Sequence, residues 1–264
     1  MAEVQMKKAL YYSILIVLLM SSASLTYCQE HALTIQQNTL FKPGFGFEYF
    51  SRTIKWDGEK SSSKLKSYFF TFNAELELQP GLAVSGLIGY SLSSYNSLIF
   101  RELPFSLDLQ AGNIGGLMIG TAIKKSIFNF KDIEIGGYGQ FIYCLGIKEN
   151  WEIPGLAVEG TAEGKPTWMR GIIGPVITYK RDAYFQPYLR LNFNKLWGTF
   201  NMEEAVQDLA GEESKKIASK SLLETTLGAV YKISSTFGLQ GEVNIMPYKG
   251  GVDLGIIMRA FYSF

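Results

Sequence analysis

The sequence predicts an all-β fold: an antiparallel transmembrane β-barrel of about ten strands, with eight or twelve as the neighbouring even counts, preceded by a signal peptide. Three observations predict it. The chain ends on strict alternation, with Val252, Leu254, Ile256, Met258, Ala260, Tyr262 and Phe264 on one face and Asp253, Arg259 and Ser263 on the other. Its amino terminus carries a secretory pattern. Between them, stretches of alternating polarity recur, separated by turn residues, and the apolar set of each falls on one side, as the two-residue period of a strand requires.

The amino terminus comes first. Lys7 and Lys8 precede an apolar run from Ala9 to Met20, then Ser21-Ser22-Ala23-Ser24. As a helix that run of about 12 residues spans roughly 18 Å, against a hydrocarbon core of about 30 Å, so it reads as a cleaved signal and not an anchor. Met6 is the better start. Residues 1–28 are therefore assigned as signal peptide, 29–38 as linker and 39–264 as the barrel. Cys28 follows bulky Tyr27, which argues against a lipoprotein signal; with Cys28 removed, Cys144 is a single thiol with no internal partner.

Strand one is read over Phe41–Trp56, with Phe45, Phe47 and Tyr49 on one face and Lys42, Glu48 and Arg52 on the other. Strand two sets Phe70, Phe72, Leu76 and Leu78 against Thr71, Asn73, Glu75 and Glu77, and stops at the Gln79-Pro80-Gly81 turn. Strand three carries Val84, Ile88, Tyr90 and Leu92. Residues 96–113 read as a connection with apolar content (Leu98, Ile99, Phe100, Phe105) that either extends the flanking strands or folds into the barrel mouth. Strand four, 115–126, alternates poorly. Strand five opposes Ile133, Ile135, Phe141, Tyr143 and Leu145 to Glu134, Tyr138, Gln140 and Cys144, and a loop from 148 to 166 follows.

Strand six, 168–180, holds Pro175 in its middle, which predicts a bulge or a shortened strand because proline donates nothing to a ladder. Strand seven places Leu189, Leu191 and Phe193 opposite Arg190, Asn192 and Asn194. Residues 201–219 read as the longest polar connection, with Asn201, Glu203, Glu204 and Gly211 as cap, first turn and stop of a short helix. Strand eight sets Leu223, Leu227 and Tyr231 against Glu224 and Lys232. Strand nine sets Phe237, Leu239, Val243 and Ile245 against Gln240, Glu242 and Asn244, and the terminal strand follows.

Connections alternate: short near Pro80, Asn129, Asp182 and Ser235, long near Ser61, Leu103, Glu159 and Ala210. Membrane barrels alternate short periplasmic turns with long outer loops. The four tryptophans, Trp56, Trp151, Trp168 and Trp197, fall at the long-loop end and are expected in an upper interfacial girdle, with Phe41, Tyr184, Phe237 and Phe264 in a lower one. A secreted β-sandwich shares the alternation but not this sorting of tryptophan and loop length.

The final strand, alternating apolar residues and ending on Phe264, resembles the assembly signal of bacterial outer-membrane β-barrels, and the mature chain as a whole resembles the small, porin-like barrels of that class. The resemblance rests on architecture and on this strand. It implies a protein of the bacterial outer membrane, surrounded by lipid, monomeric, and handed to the barrel-assembly machinery through Met258, Ala260, Tyr262 and Phe264.

Function is less legible. With 25 basic and 24 acidic residues the chain offers no basic face for nucleic acid. The inward row holds Glu48, Arg52, Glu75, Glu77, Glu134, Arg170, Arg190, Glu224, Lys232, Glu242, Asp253 and Arg259 as candidate lumen charges. Mixed signs in a small barrel favour a plugged polar lumen, with a structural or surface-interaction role; the alternative is a narrow channel or transporter for small or apolar solutes, its selectivity tuned by these charges. Catalysis is not expected. The one histidine, His31, precedes the first strand, and hydrolases of the barrel rim need an imidazole or an organised nucleophile. Cys144 reads as a small packing residue, and neither a cofactor nor a metal site is expected.

Overall fold

The computed structural model describes residues 41–58, 62–104, 107–153 and 160–264. The signal peptide, the linker, Cys28, His31 and Phe105 lie outside them. The strands are β1 (Phe41–Trp56), β2 (Ser62–Gln79), β3 (Leu82–Phe100), β4 (Leu107–Phe130), β5 (Ile133–Gly146), β6 (Glu149–Glu152), β7 (Gly160–Tyr179), β8 (Phe185–Val206), β9 (Leu209–Ser219), β10 (Leu223–Lys232), β11 (Phe237–Tyr248) and β12 (Gly251–Tyr262). All pairs are antiparallel. Ten strands close a ring, β1-β2-β3-β4-β5-β7-β8-β10-β11-β12, sealed by Gly44↔Phe261 through Ser51↔Leu254. β6 and β9 are extra segments above it: β6 prolongs β5 along β7, and β9 lies between β8 and β1.

The ring is a transmembrane β-barrel by its surface. Phe45, Phe70, Ile88, Leu117, Ile119, Ile173, Leu191, Leu227, Val243 and Met258 stand exposed on the outside of successive strands. Water would not tolerate a band of that extent, and hydrocarbon would. The backbone within the band is paired around the ring, as lipid demands, except for one lapse beside Pro175 between β7 and β8.

Several strands are far longer than a bilayer needs. β4 has 24 residues and β8 has 22, whereas a tilted strand crosses the hydrocarbon in about 9–11. The surplus stands beyond the membrane at the end away from the short turns, and there the polarity of each strand reverses. On β8 the outward row is Leu191 and Phe193 below, then Lys195 and Trp197 at the edge, and Thr199, Asn201 and Glu203 above; the inward row is Arg190, Asn192 and Asn194 below, then buried Leu196, Phe200 and Met202 above. β2 does the same: Phe72 and Phe70 face out below, Lys66 and Lys64 above, while inward Asn73 and Thr71 give way to buried Phe69 and Leu65. The membrane segment is thus apolar outside and polar inside, and the outer extension is the reverse, as in a water-soluble barrel.

Several expectations are corrected. The segment 201–211 is not helical: β8 and β9 form a hairpin through Gln207 and Asp208, with Val206↔Leu209 innermost and Gln207 at a left-handed φ of 50°. The alternation of Phe200, Met202 and Val206 into the interior outweighs the cap-like spelling of Asn201 and Glu203. The described residues between 96 and 113 are mostly strand; 101–104 leave the ladder, and Leu103 is buried. Pro175 neither shortens β7 nor shifts its register: it pairs opposite Gly137, and on the β8 side the ladder lapses between Ile173↔Phe193 and Val176↔Arg190. Trp56 and Trp168 are buried inside, at 4% and 1% exposure, and are not girdle residues. Trp197 keeps its expected outward place, against Phe141, and Tyr49, Tyr68 and Tyr90 join it at the upper edge of the band, with Tyr49 and Tyr68 rings 5.0 Å apart.

Turn chemistry at the other end is local. Pro80 fixes one φ and Gly81 supplies the positive φ of 75° that a tight turn needs at its next position. Tyr184, Phe237 and Phe264 are exposed there, alongside Phe128 and Phe130. Phe264 stacks on Phe41 at 6.3 Å and donates its N–H to the Phe41 carbonyl at 3.0 Å, tying the chain end to the start of β1.

Candidate functional site

The bore is the site, and it has three levels. At the short-turn end it opens into a cavity of about 710 Å³. Lys42 pairs with Glu75 at 2.9 Å across β1 and β2. Glu134 is shared by two ammoniums, Lys180, in direct contact, and Lys124 at 3.6 Å. Glu77 accepts from the Gly81 N–H at the rim, 3.4 Å away. Lys232 and Arg259 also line this cavity.

The middle level is a belt of buried pairs. Arg190 contacts Glu242, whose Oε1 also accepts from the Tyr188 hydroxyl at 2.6 Å and from Gln240 Nε2 at 2.7 Å. The Arg190 guanidinium lies 4.2 Å from the centroid of the Tyr138 ring. Across the bore, Arg170 grips both oxygens of Glu48, with Nη2 to Oε2 at 3.0 Å. Glu224 accepts from Asn192 at 2.8 Å and Asn194 at 2.6 Å. Each carboxylate taken from water here has charged or amide donors in its place, as a buried charge requires.

Arg52 and Asp253 do something different. β8 leaves β10 for β9 near Asn194, and β1 leaves β12 for β9 near Thr53. Partner changes strand backbone groups without a ladder. Arg52 donates to the Asn194 carbonyl at 2.7 Å and to the Ser221 carbonyl at 3.0 Å. Asp253 accepts from the Thr53 N–H at 2.6 Å and its hydroxyl at 2.9 Å. These two charges satisfy a junction in the wall.

The upper level is apolar. Arg170 hands over to it, its guanidinium 5.4 Å from the Phe50 ring and 5.8 Å from Phe69. Phe50 meets Trp168 edge-on at 5.9 Å, and Trp56, Tyr95, Phe100 and Phe200 cluster with centroids 5.3–6.2 Å apart. All are at most 4% exposed. Ile54, Leu65, Ile142 and Leu196 fill between them. Near the tip, Glu213 pairs with Lys215 at 3.4 Å and accepts from the Glu102 N–H at 2.8 Å, tying Glu102 to β9.

The charges singled out in the sequence fall into these places. Glu48, Arg52, Glu134, Arg170, Arg190, Glu224, Glu242 and Asp253 are each at most 6% exposed. Glu75, Glu77, Lys232 and Arg259 line the cavity. Met258, Tyr262 and Phe264 project outward, and Ala260 sits opposite Phe45 and Leu239. Tyr188, Lys124 and Lys180 escaped the sequence reading. Tyr188 shares the parity of Arg190, the available signal; Lys124 lies on the poorly alternating stretch and Lys180 just past a strand end. Cys144 is buried, its sulfur 3.1 Å from the Ser91 hydroxyl.

No protein-family model matches the sequence, and no curated protein matches it. Among solved structures, the translocator domain of the autotransporter NalP from Neisseria meningitidis aligns over 92% of this chain and 96% of its own, at 10% identity and a TM-score of 0.49. The outer-membrane protease OmpT from Escherichia coli aligns over 88% and 97%, at 9% identity and a TM-score of 0.48. Ail, the attachment invasion locus protein of Yersinia pestis, aligns over 84% and 98%, at 12% identity and a TM-score of 0.32. Identity this low transfers no role to the chain.

Proposed function

We propose that the protein is an integral barrel of the bacterial outer membrane with a closed bore, serving a structural or surface-interaction role through its outer extension. Export by a cleaved signal peptide, handover to the assembly machinery through the terminal strand from Met258 to Phe264, a monomeric state and the absence of an enzymatic activity belong to the same proposal. The sequence supports export and assembly; the exposed apolar band supports lipid as the surroundings.

One observation carries the closed bore. Above the charge belt the interior is filled wall to wall by Phe50, Phe69, Trp168, Trp56, Tyr95 and Phe200, none more than 4% exposed. An ion leaving the belt would have to cross an unhydrated aromatic core. The extension that encloses this core presents Lys64, Lys66, Lys148, Lys165, Glu203 and Lys216 to solvent, a charged surface at the long-strand end of the barrel.

The test is single-channel recording of the purified, refolded protein in a planar bilayer. A silent bilayer, with insertion verified independently by protection from protease, supports the closed bore. Steady openings reject it in favour of a narrow channel.

A further inference from the structure

We propose that the cavity at the short-turn end is a binding site for a small anionic solute, carrying phosphate or carboxylate groups, that enters from the periplasmic side. This goes beyond the closed-bore reading: the side of entry rests on it, but binding does not.

The cavity has the volume of a ligand site. About 710 Å³ lies within the roughly 300–1,000 Å³ usual for small-molecule pockets. It is reached past Pro80, Gly81 and Ser235 at the short turns and Ser263 beyond β12. Short turns face the periplasm in barrels of this architecture, and the aromatic core closes the other end.

Its charge is uneven. Arg190 is matched by Glu242 and Lys42 by Glu75. Glu134 faces two ammoniums, Lys124 and Lys180, and can neutralise one. Among the described residues the side chains of Arg259 and Lys232 have neither a hydrogen-bond partner nor a carboxylate at ion-pair distance. Glu77, engaged at the Gly81 turn, is the one carboxylate on the lining left to oppose them. The surplus is therefore positive.

Arg259 is the sharpest element. It rises from β12 opposite Gly46 and Gln240 and lines both the main cavity and a small neighbouring hollow, beside Gln140 and Glu48. Glu48 is already held by Arg170 through both oxygens. Glu242 and Glu48 oppose the charge of Arg259 only from beyond ion-pair distance, so its donors are free, and its planar fork suits a phosphate or carboxylate. Gln140, Gln186, Ser85 and Thr178 add neutral hydrogen-bonding groups to the lining. The anion would seat its charge at Arg259, with Lys232, Lys124 and Lys180 nearer the mouth.

Isothermal titration of citrate and of inorganic pyrophosphate into the full barrel in detergent micelles at low ionic strength tests this. The expected result is saturable binding that salt weakens, with Arg259→Gln and Lys232→Gln each lowering affinity about tenfold or more, the scale of one lost charge-assisted contact. Lys216→Gln, at the far end and 72% exposed, should change nothing. Absence of saturable heat, or binding equal to wild type in Lys232→Gln and in whichever Arg259 variant folds, overturns the proposal. Arg259→Lys serves if Arg259→Gln does not refold, and should then retain partial affinity. Conductance is read separately, so an open bore and an empty cavity are told apart.

Discussion

Asp253 on β12 caps the backbone of Thr53 on β1, accepting from its N–H at 2.6 Å and from its hydroxyl at 2.9 Å. The contact stands where β1 stops pairing with β12, at Ser51↔Leu254, and before it joins β9, at Ile54↔Ser219. The membrane ring and the outer extension have different strand neighbours, and this carboxylate closes the step between them. Arg52, one residue earlier, does the same for the carbonyls of Asn194 on β8 and Ser221 in the β9–β10 link.

Asp253→Ala should therefore destabilise the barrel by about 1–3 kcal/mol, the cost of leaving a buried donor unpaired. Asp253→Asn keeps an acceptor and should lose less. Urea unfolding from lipid vesicles, followed by tryptophan fluorescence, measures both.

The Glu48–Arg170 pair makes a two-sided prediction. Arg170→Ala strands a buried carboxylate and should cost about 3–5 kcal/mol, whereas replacing both residues by methionine should come close to neutral or gain stability. Methionine at 170 would still pack on Phe50 and Phe69, which the guanidinium now covers. The same unfolding assay reads the cycle.

The aromatic seal is open to test by truncation. Trp168→Ala should cost about 3–5 kcal/mol as a large buried side chain removed from a packed core. Combined with Phe50→Ala it removes the layer directly above the charge belt, and brief openings should appear in planar bilayers where the parent is silent.

Much of this was legible from residue order, and the reason for the rest is physical. The rows Phe45-Phe47-Tyr49 and Leu189-Leu191-Phe193 face lipid, and their period of two marks them directly. What deceived was the change of phase. On β8 the apolar residues move from odd positions, ending at Trp197, to even ones, starting at Leu196. Read against one lipid-facing row, that shift looks like a strand ending, so Asn201–Gly211 passed for a helical connection. Trp56 and Trp168 were misplaced for the same reason: an interfacial girdle accounts for a tryptophan high on a strand only if that strand keeps one polarity. The lumen charges could be placed on the inward row from sequence, but their partners could not. Arg170 meets Glu48, and Arg190 meets Glu242, from strands that are not neighbours in the ring, and periodicity carries no information about that.

A pair of substitutions separates the two environments. Leu191→Arg, in the lipid-facing row, should cost about 2–4 kcal/mol. Asn201→Arg has the same parity on the same strand, ten residues on, and should change stability by less than about 0.5 kcal/mol because it faces water.

The reversal of polarity along single strands is tested most directly by mapping accessibility down β8. In a Cys144→Ser background, spin labels placed singly at Leu189, Leu191, Phe193, Thr199, Asn201 and Glu203 would be exposed to oxygen, which partitions into lipid, and to a water-soluble nickel chelate. Oxygen should dominate through Phe193 and the chelate from Thr199 onward, with one crossover near Lys195. Oxygen dominance along the whole row, or chelate dominance along the whole row, would contradict a lipid-facing barrel that continues as a water-facing one.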